Sequence, residues 1–584
     1  MLQLMKRLQL IDWLYFFCAV ITIVLQVWLD FEVFDSTQDI LFIIGQNGTL
    51  EQILKEGLYM LMCALVSLFG AILCGFFFAL ISARLSRNLR REIYLKVHGL
   101  SMADVKNFSV PSLITRTTND VTQVQGFIAM GMQMLIKAPL TAVWGITKIA
   151  NRSWDWSALT AGSVVTILGG VSIIMSLVIP KFKKMQSYID DINSVTEEQL
   201  TGIRVVHAFN AEKYQENKFE QKNTTLTNTQ IFTQRTLGFM NPLMYLVMNL
   251  MSLGIYWIGA YLIHGAPVGG KLELWTQMGN FYAFASQIVS SFLSLVMILF
   301  MWPRASVSSA RINQVLNTKN SIVDGKWIGN DELKGVIEFR NVSFKYPDSD
   351  ELMLKDISFK TKMGDTLAFI GSTGSGKTTI VNLLMRFYDC TQGEILIDGI
   401  NIKDYQLNTL YNKIGYVPQR AVLLSGTVSD NVAFGDNGEA AISEEQIKQA
   451  VAIAQGTNFV ENMTDGYHGY VAQGGTNLSG GQKQRLSIAR AIVRNPEIYI
   501  FDDSFSALDY VTDYKLRTEL KKYTKNATNV IVAQRIGTIM NADTIVVLEK
   551  GECVGIGTHK QLLRNCKTYQ EIAYSQLSKE ELDG

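Results

Sequence analysis

Six long apolar runs, all ending by about residue 302, set the tightest limit on what this chain can fold into. Hydrocarbon offers backbone N–H and C=O groups no partner, so an apolar run of about 20 residues crosses a bilayer only as a helix. The runs read as 13–29, 58–81, 126–150, 156–179, 237–263 and 275–301. Lys6 and Arg7 ahead of the first imitate a signal peptide, but the run is too long and no small-residue cleavage site follows. It reads as a spanning helix entered through a short amphipathic stretch on the inner surface. At 584 residues the chain exceeds a single core, and the part beyond the runs reads as a soluble half.

Arg84, Arg87, Arg90, Arg91 and Lys96 follow the second run, and Lys181, Lys183 and Lys184 follow the fourth; the connections 30–56 and 151–155 are poor in both residue types. The positive-inside rule then places both termini in the cytoplasm. The inner connections, 82–125 and 180–236, are long and helical in pattern, so the spanning helices are expected to run well past the bilayer. Two segments are expected at the far turns of these hairpins: 112–125, with Thr115, Arg116, Asn119 and Asp120, and 201–214, with Arg204, His207 and Phe209. Each is either a solvated tip or a docking point on the soluble half.

Net charge is +1, which argues against nucleic acid or another polyanion as partner. The six cysteines, Cys18, Cys63, Cys74, Cys390, Cys553 and Cys566, form no C-x-x-C pair and read as reduced packing residues. Among the apolar residues of the sixth run stand Gln277, Asn280, Gln287, Ser290, Ser291 and Ser294, with Phe281, Tyr282, Phe284 and Phe292. The fifth run adds Asn241, Asn249 and four methionines, Met240, Met244, Met248 and Met251. Polar groups in hydrocarbon face a wet cavity or glue helices together, and both readings stay open here.

In the soluble half, Gly371-Ser372-Thr373-Gly374-Ser375-Gly376-Lys377-Thr378-Thr379 matches G-x-x-x-x-G-K-[ST], with a strand expected over 365–370 and a helix over 378–388. Its N–H groups would close on phosphates at the positive end of that helix. Lys377 would reach the β- and γ-phosphates and the Thr378 hydroxyl would ligate Mg²⁺. A helix to about residue 316 and a polar linker, 317–334, precede a strand over 336–344. Tyr346 follows that strand, where its ring could stack on a base; Gln419, closing Tyr416-Val417-Pro418-Gln419, could meet Mg²⁺.

Leu478-Ser479-Gly480-Gly481-Gln482 opens an amphipathic helix ending near Arg494, a second phosphate-binding arrangement. One triphosphate for two cradles points to a dimer, each nucleotide sandwiched between the phosphate loop of one chain and the glycine turn of the other.

The ordered set of phosphate loop, Gln419, LSGGQ turn and the strand Ile498-Tyr499-Ile500-Phe501-Asp502 resembles the ATP-binding domain of ABC transporters. With six spans ahead of it, the chain resembles a bacterial ABC exporter half-transporter of the multidrug type over about residues 1–575. The resemblance implies an α-helical transmembrane domain, 1–316, with long cytoplasmic extensions, fused to an α/β P-loop ATP-binding domain, 335–575, with a polar tail, 576–584. It implies ATP and Mg²⁺ as cofactors, Tyr346 as the base-stacking aromatic and Gln419 as the Q-loop residue. Asp502 is then the carboxylate holding Mg²⁺ through water, Ser506-Ala507-Leu508-Asp509 the D-loop, and 112–125 and 201–214 the coupling helices.

Departures from the family pattern are equally specific. Asp503 stands where the family has a catalytic Glu, Gln534 where it has the switch His, and Gln473 where Glu usually precedes the LSGGQ turn. One carbon less at 503 draws the carboxylate back by roughly 1 Å, a displacement able to cost about 10²-fold in rate. Gln534 donates a hydrogen bond but cannot become a cation. The expectation is the degenerate-site subunit of a heterodimeric pair in the inner membrane, exporting hydrophobic or amphipathic compounds by alternating access. Its LSGGQ would complete the partner's competent site. Alternatives are a dedicated peptide, lipid or haem exporter, an importer on the same fold, and a non-transporting ATP-sensing regulatory subunit.

Overall fold

The computed structural model describes residues 1–150, 152–329, 334–435 and 441–577. Two compact units emerge: Met1–His98 with Val110–Thr318, and Gly99–Ser109 with Lys319–Gly584.

Among its described residues the first unit has six helices long and apolar enough to span a membrane: Leu10–Gly45, Leu50–His98, Val110–Ile149, Trp154–Thr201, Glu212–Gly265 and Val268–Asn317. They run from 36 to 54 residues. At 1.5 Å per residue that is about 54 to 81 Å, against a hydrocarbon core of about 30 Å. The extensions expected from the sequence are therefore present.

One expected connection is not a loop. The first helix continues through 30–45, and only residues 46–49 separate it from the second. Its acidic residues, which read as a solvated loop, find partners inside the unit instead. Asp30 pairs with Lys137 at 3.6 Å, and Asp35 with Lys148 at 2.6 Å and Arg152 at 3.2 Å. Asn280 Nδ2 donates to Asp35 at 3.0 Å and to Gln38 at 2.7 Å.

The first inner hairpin turns earlier than expected. Its tip is Gly99–Ser109, carrying the short helix Met102–Lys106 capped by Ser101, and the next helix begins at Val110. Pro111 fits that first turn, where a missing N–H costs nothing. Segment 112–125 thus lies in the returning helix rather than at the tip, and Arg116 and Asp120 are buried. Arg116 donates to the Arg311 carbonyl at 3.2 Å and Asp120 accepts from Ser308 Oγ at 2.7 Å. Two π-helical turns, Arg116–Asp120 and Phe127–Gly131, interrupt this helix. Segment 201–214 does lie at a turn, between helices ending at Thr201 and starting at Glu212, with Phe209 exposed.

In the second unit, a four-stranded antiparallel sheet runs in the order Leu354–Lys360, Ile337–Phe344, Gln392–Ile397, Ile400–Asn401. A six-stranded sheet runs Glu552–Gly557, Thr544–Glu549, Thr366–Gly371, Thr528–Val532, Ile498–Asp502, Ile414–Val417, parallel except for its first strand. Thr366–Gly371 is central, with Leu367, Ala368, Phe369 and Ile370 all buried, as a continuous apolar run in a doubly covered parallel sheet requires. The helix Lys377–Leu384 packs Ile380, Val381, Leu383 and Leu384 into the same core.

The described part of the expected linker is pinned to this unit. Arg386 donates to the Val323 carbonyl at 2.8 Å, the Leu407 N–H donates to Asp324 at 2.7 Å, and Trp327 meets Tyr405 edge-on with ring centres 4.6 Å apart. Residues 330–333 of that linker, the tail from 578 on, Asn151 and the Lys183 side chain lie outside the described residues.

Candidate functional site

The phosphate-loop sequence sits where its mechanism needs it, between the central strand and the helix Lys377–Leu384. Gly376 precedes that helix at φ +101, a conformation that a side chain rarely adopts. At Gly371 a Cβ would stand 2.1 Å from the Leu548 carbonyl oxygen, so the chain passes here only without one. Lys377 is 8% exposed, and its Nζ donates to the carbonyls of Gly371 and Ser372, each at 2.8 Å. Burial pushes its amine below the ordinary lysine range.

The strand Ile498–Asp502 delivers two carboxylates beside that amine. Asp502 is buried, with Oδ1 3.5 Å from the Thr378 hydroxyl. Burial first, and then the neighbouring Asp503 charge, push it up to about 6. A buried amine whose short hydrogen bonds go to neutral carbonyls, beside a carboxylate that stays above its ordinary range despite that amine, fits a bound anion carrying a divalent ion. Thr378 and Asp502 are placed to hold such an ion.

Asp503 follows at φ +47, in the left-handed region that Asp tolerates better than longer side chains. Its Oδ2 accepts from Gln534 Nε2 at 2.9 Å and from Gln419 Nε2 at 3.3 Å. Burial still holds its pKa above the ordinary carboxylate range. The structure therefore gathers Lys377, Thr378, Gln419, Asp502, Asp503 and Gln534 at one place.

Tyr346 is half-buried, its hydroxyl 3.1 Å from Thr379 Oγ1 and its ring edge-on to Tyr388. Lys106 Nζ stands 5.0 Å from the Tyr346 ring centre and 5.7 Å from that of Tyr388, a cation–π pair that sequence reading missed. Ser101-x-x-Asp104 was the available signal, since that spacing marks a helix start.

The LSGGQ turn folds as expected. Ser479 caps the helix Gly480–Val493 in a reciprocal box with Gln482, and both Ser479 and Gly480 are exposed. Gln484 anchors the helix to the Pro418 carbonyl at 3.2 Å. Among the described residues no hydrogen bond joins 478–482 to 371–379. Gln473 is exposed beside Gly474, at φ +69.

The family described as ABC transporter transmembrane region matches residues 13–272, and the family described as ABC transporter matches 354–506. The chain is 34% identical over 549 residues to the uncharacterized ABC transporter ATP-binding protein YfiB of Bacillus subtilis (strain 168), covering 92% of each. An uncharacterized ABC transporter ATP-binding protein of Mycobacterium tuberculosis (strain ATCC 25618 / H37Rv) is 40% identical over 499 residues, 85% of this chain and 84% of that one. The ATP-dependent lipid A-core flippase of Pseudomonas aeruginosa is 30% identical over 507 residues, 86% and 82% of the two chains. In fold, the chain is similar to a bacterial Atm1-family ABC exporter solved with ATP bound, with a TM-score of 0.76 at 24% identity over 96% and 98% of the chains.

Proposed function

This chain belongs to the ABC transporter family, a transmembrane region and an ATP-binding domain on one polypeptide, and we propose that it is the degenerate-site half of a heterodimeric exporter in a bacterial cytoplasmic membrane. Bound ATP with Mg²⁺ would supply the phosphoryl chemistry that drives transport. The N–H groups of 371–376 and the Lys377 amine would hold the triphosphate, Thr378, Gln419 and Asp502 would hold the ion, and Tyr346 would meet the base. Both termini face the cytoplasm.

Asp503 carries the proposal. Its carboxylate is one carbon short of the family's Glu, and the Gln419 and Gln534 amides already occupy one of its oxygens. It keeps the basicity to accept a proton from a water molecule but lacks the reach to place that water. Gln534 orients the carboxylate and stays neutral throughout. Ser479, Gly480 and Gly481, with no duty toward this chain's own phosphate loop, donate to the nucleotide held by the partner. Gly99–Ser109 and 201–214 are the coupling segments.

A hydrophobic or amphipathic substrate is supported by the polar and methionine-rich faces of the fifth and sixth spans, and by the lipid substrate in the name of the Pseudomonas relative. The purified chain alone should hydrolyse ATP slowly, and adding a half-transporter that carries the family's Glu and His should restore turnover. A homodimer of this chain running at about 10 per second, a median enzyme rate, would overturn the heterodimer reading.

A further inference from the structure

A half-open cavity of about 420 Å³ lies between the helices Val110–Ile149 and Val268–Asn317. Gln133, Lys137 and Thr141 line it from one helix, and Gln287, Ser290 and Ser294 from the other. The positions recur three and four residues apart on both helices, so two polar stripes face each other. A volume of this size suits a small ligand or one end of a larger one.

Hydrogen bonding sorts the lining by role. Thr141 and Ser294 donate back to the carbonyls of Lys137 and Ser290 at 2.9 and 3.0 Å, leaving only acceptor lone pairs toward the cavity. The side chains of Gln133, Gln287 and Ser290 have no hydrogen-bond partner among the described residues. Lys137 is the one charged residue in the lining, and its side chain keeps 30% of its surface exposed. Its ion partner, Asp30, lies 3.6 Å away, too far for a hydrogen bond, and also accepts from Ser67. Two amides, a hydroxyl and a loosely held ammonium thus present donors to one space halfway along the apolar stretch 126–150. Met130 and Met134 continue the same wall as adaptable apolar surface.

We propose that this cavity binds the anionic head of an amphiphilic substrate, a carboxylate or phosphate, with Lys137 as counter-ion and Gln133, Gln287 and Ser290 as hydrogen-bond donors. An ionisable residue in the span of a transmembrane helix that faces a polar cavity is a candidate for a substrate path, and Lys137 keeps exposed surface beside its ion pair with Asp30. The inference rests on the exporter reading and narrows its substrate class.

The test uses the full chain in phosphatidylcholine nanodiscs and three fluorescent dodecyl probes that differ only in the head: a carboxylate, an uncharged amide and a primary ammonium. A charged hydrogen bond predicts that the carboxylate probe binds about tenfold or more tightly than the amide probe. Lys137→Gln should bring that ratio near one, and Lys137→Arg should keep it. Equal binding of the carboxylate and amide probes to the unmodified chain, or an unchanged ratio in Lys137→Gln, overturns the site. Because each comparison is a ratio within one preparation, a poorly folding variant leaves the unmodified chain as the deciding measurement. Competition by phosphatidylglycerol in the disc would identify the source as a membrane lipid, and its absence would identify a free amphiphile. Preferential carboxylate binding without ATP-driven movement of any probe by the assembled complex would keep the site and remove the exporter reading. ATP-driven movement without that preference would do the reverse.

Discussion

Gln534 Nε2 lies 2.9 Å from Asp503 Oδ2, so the two residues by which this site departs from the family pattern are bonded to each other. They follow adjacent parallel strands, and the Asp503 N–H donates to the Val532 carbonyl at 2.9 Å. A change at one position alters the partner of the other, so their effects will not add.

The double change Asp503→Glu with Gln534→His should therefore raise single-turnover hydrolysis at this site by about tenfold or more over either single change, given the rate sensitivity to carboxylate placement. The glutamate alone must also adopt a positive φ, at a cost of order 1 kcal/mol. Rapid-quench measurement in a complex whose partner has an intact glycine turn checks this. Singles whose gains simply multiply would remove the coupling.

Asp502 gives a pH prediction. Its folded pKa is raised from the ordinary value to about 6, so its contribution to the stability of the nucleotide-free domain is fully present below about 4 and lost as pH rises through about 6. Mg²⁺ opposes this by favouring the ionised form, and a proton competes with the ion below pH 6. The stabilisation by Mg²⁺ with ATP should shrink from pH 7 to pH 5, and Asp502→Asn should lose the part of this dependence that does not belong to the phosphate itself. Thermal melts of both proteins with and without the ion measure it.

Two adjacent glycines of the LSGGQ turn separate local from cross-chain effects. A Cβ at Gly480 meets nothing within 4 Å, whereas one at Gly481 stands 3.3 Å from the Ala507 carbonyl in the D-loop. Gly480→Ala should leave the melting of this chain nearly unchanged yet cut the ATPase rate of the complex by about 10²-fold, because the added methyl keeps the N–H but would hold the partner's nucleotide about 1 Å away from it. Gly481→Ala should also shift the melting. Saturating ATP keeps lost affinity from being read as lost chemistry.

Asp104 ties the hairpin tip to the described linker. Its Oδ2 accepts from Ser101 Oγ at 2.6 Å, the Ser321 N–H at 2.8 Å and Ser321 Oγ at 3.1 Å. Burial raises its pKa, but these donors outweigh burial and hold it below the ordinary range. Asp104→Ala should destabilise the local structure by about 1–3 kcal/mol through unpaired donors, seen as faster hydrogen exchange over Met102–Lys106. If this tip couples ATP use to transport, ATP consumed per molecule moved should rise.

The sequence alone determined the elements whose cause is local. An apolar run of spanning length must be helical, so six helices were legible from 13–29 to 275–301. Gly376, Lys377 and Thr378 carry phosphate-loop geometry in their own backbone and side-chain chemistry, and Ser479 caps its helix through Gln482 three residues on. The departure from the family pattern at Asp503 and Gln534 was equally visible, because it lies in the identity of two side chains. Tertiary structure decided whatever depends on a partner distant in sequence. Asp30 and Asp35 read as loop residues because their partners Lys137, Lys148 and Arg152 lie more than a hundred positions away. The hairpin tip moved from 112–125 to Gly99–Ser109 because burial of Arg116 and Asp120 against Arg311 and Ser308 draws that segment into the returning helix. Lys106 over Tyr346, Gln534 on Asp503 and the donors around Lys137 belong to the same class. Each is a charge or amide whose role is set by what folds against it, and no local pattern records that.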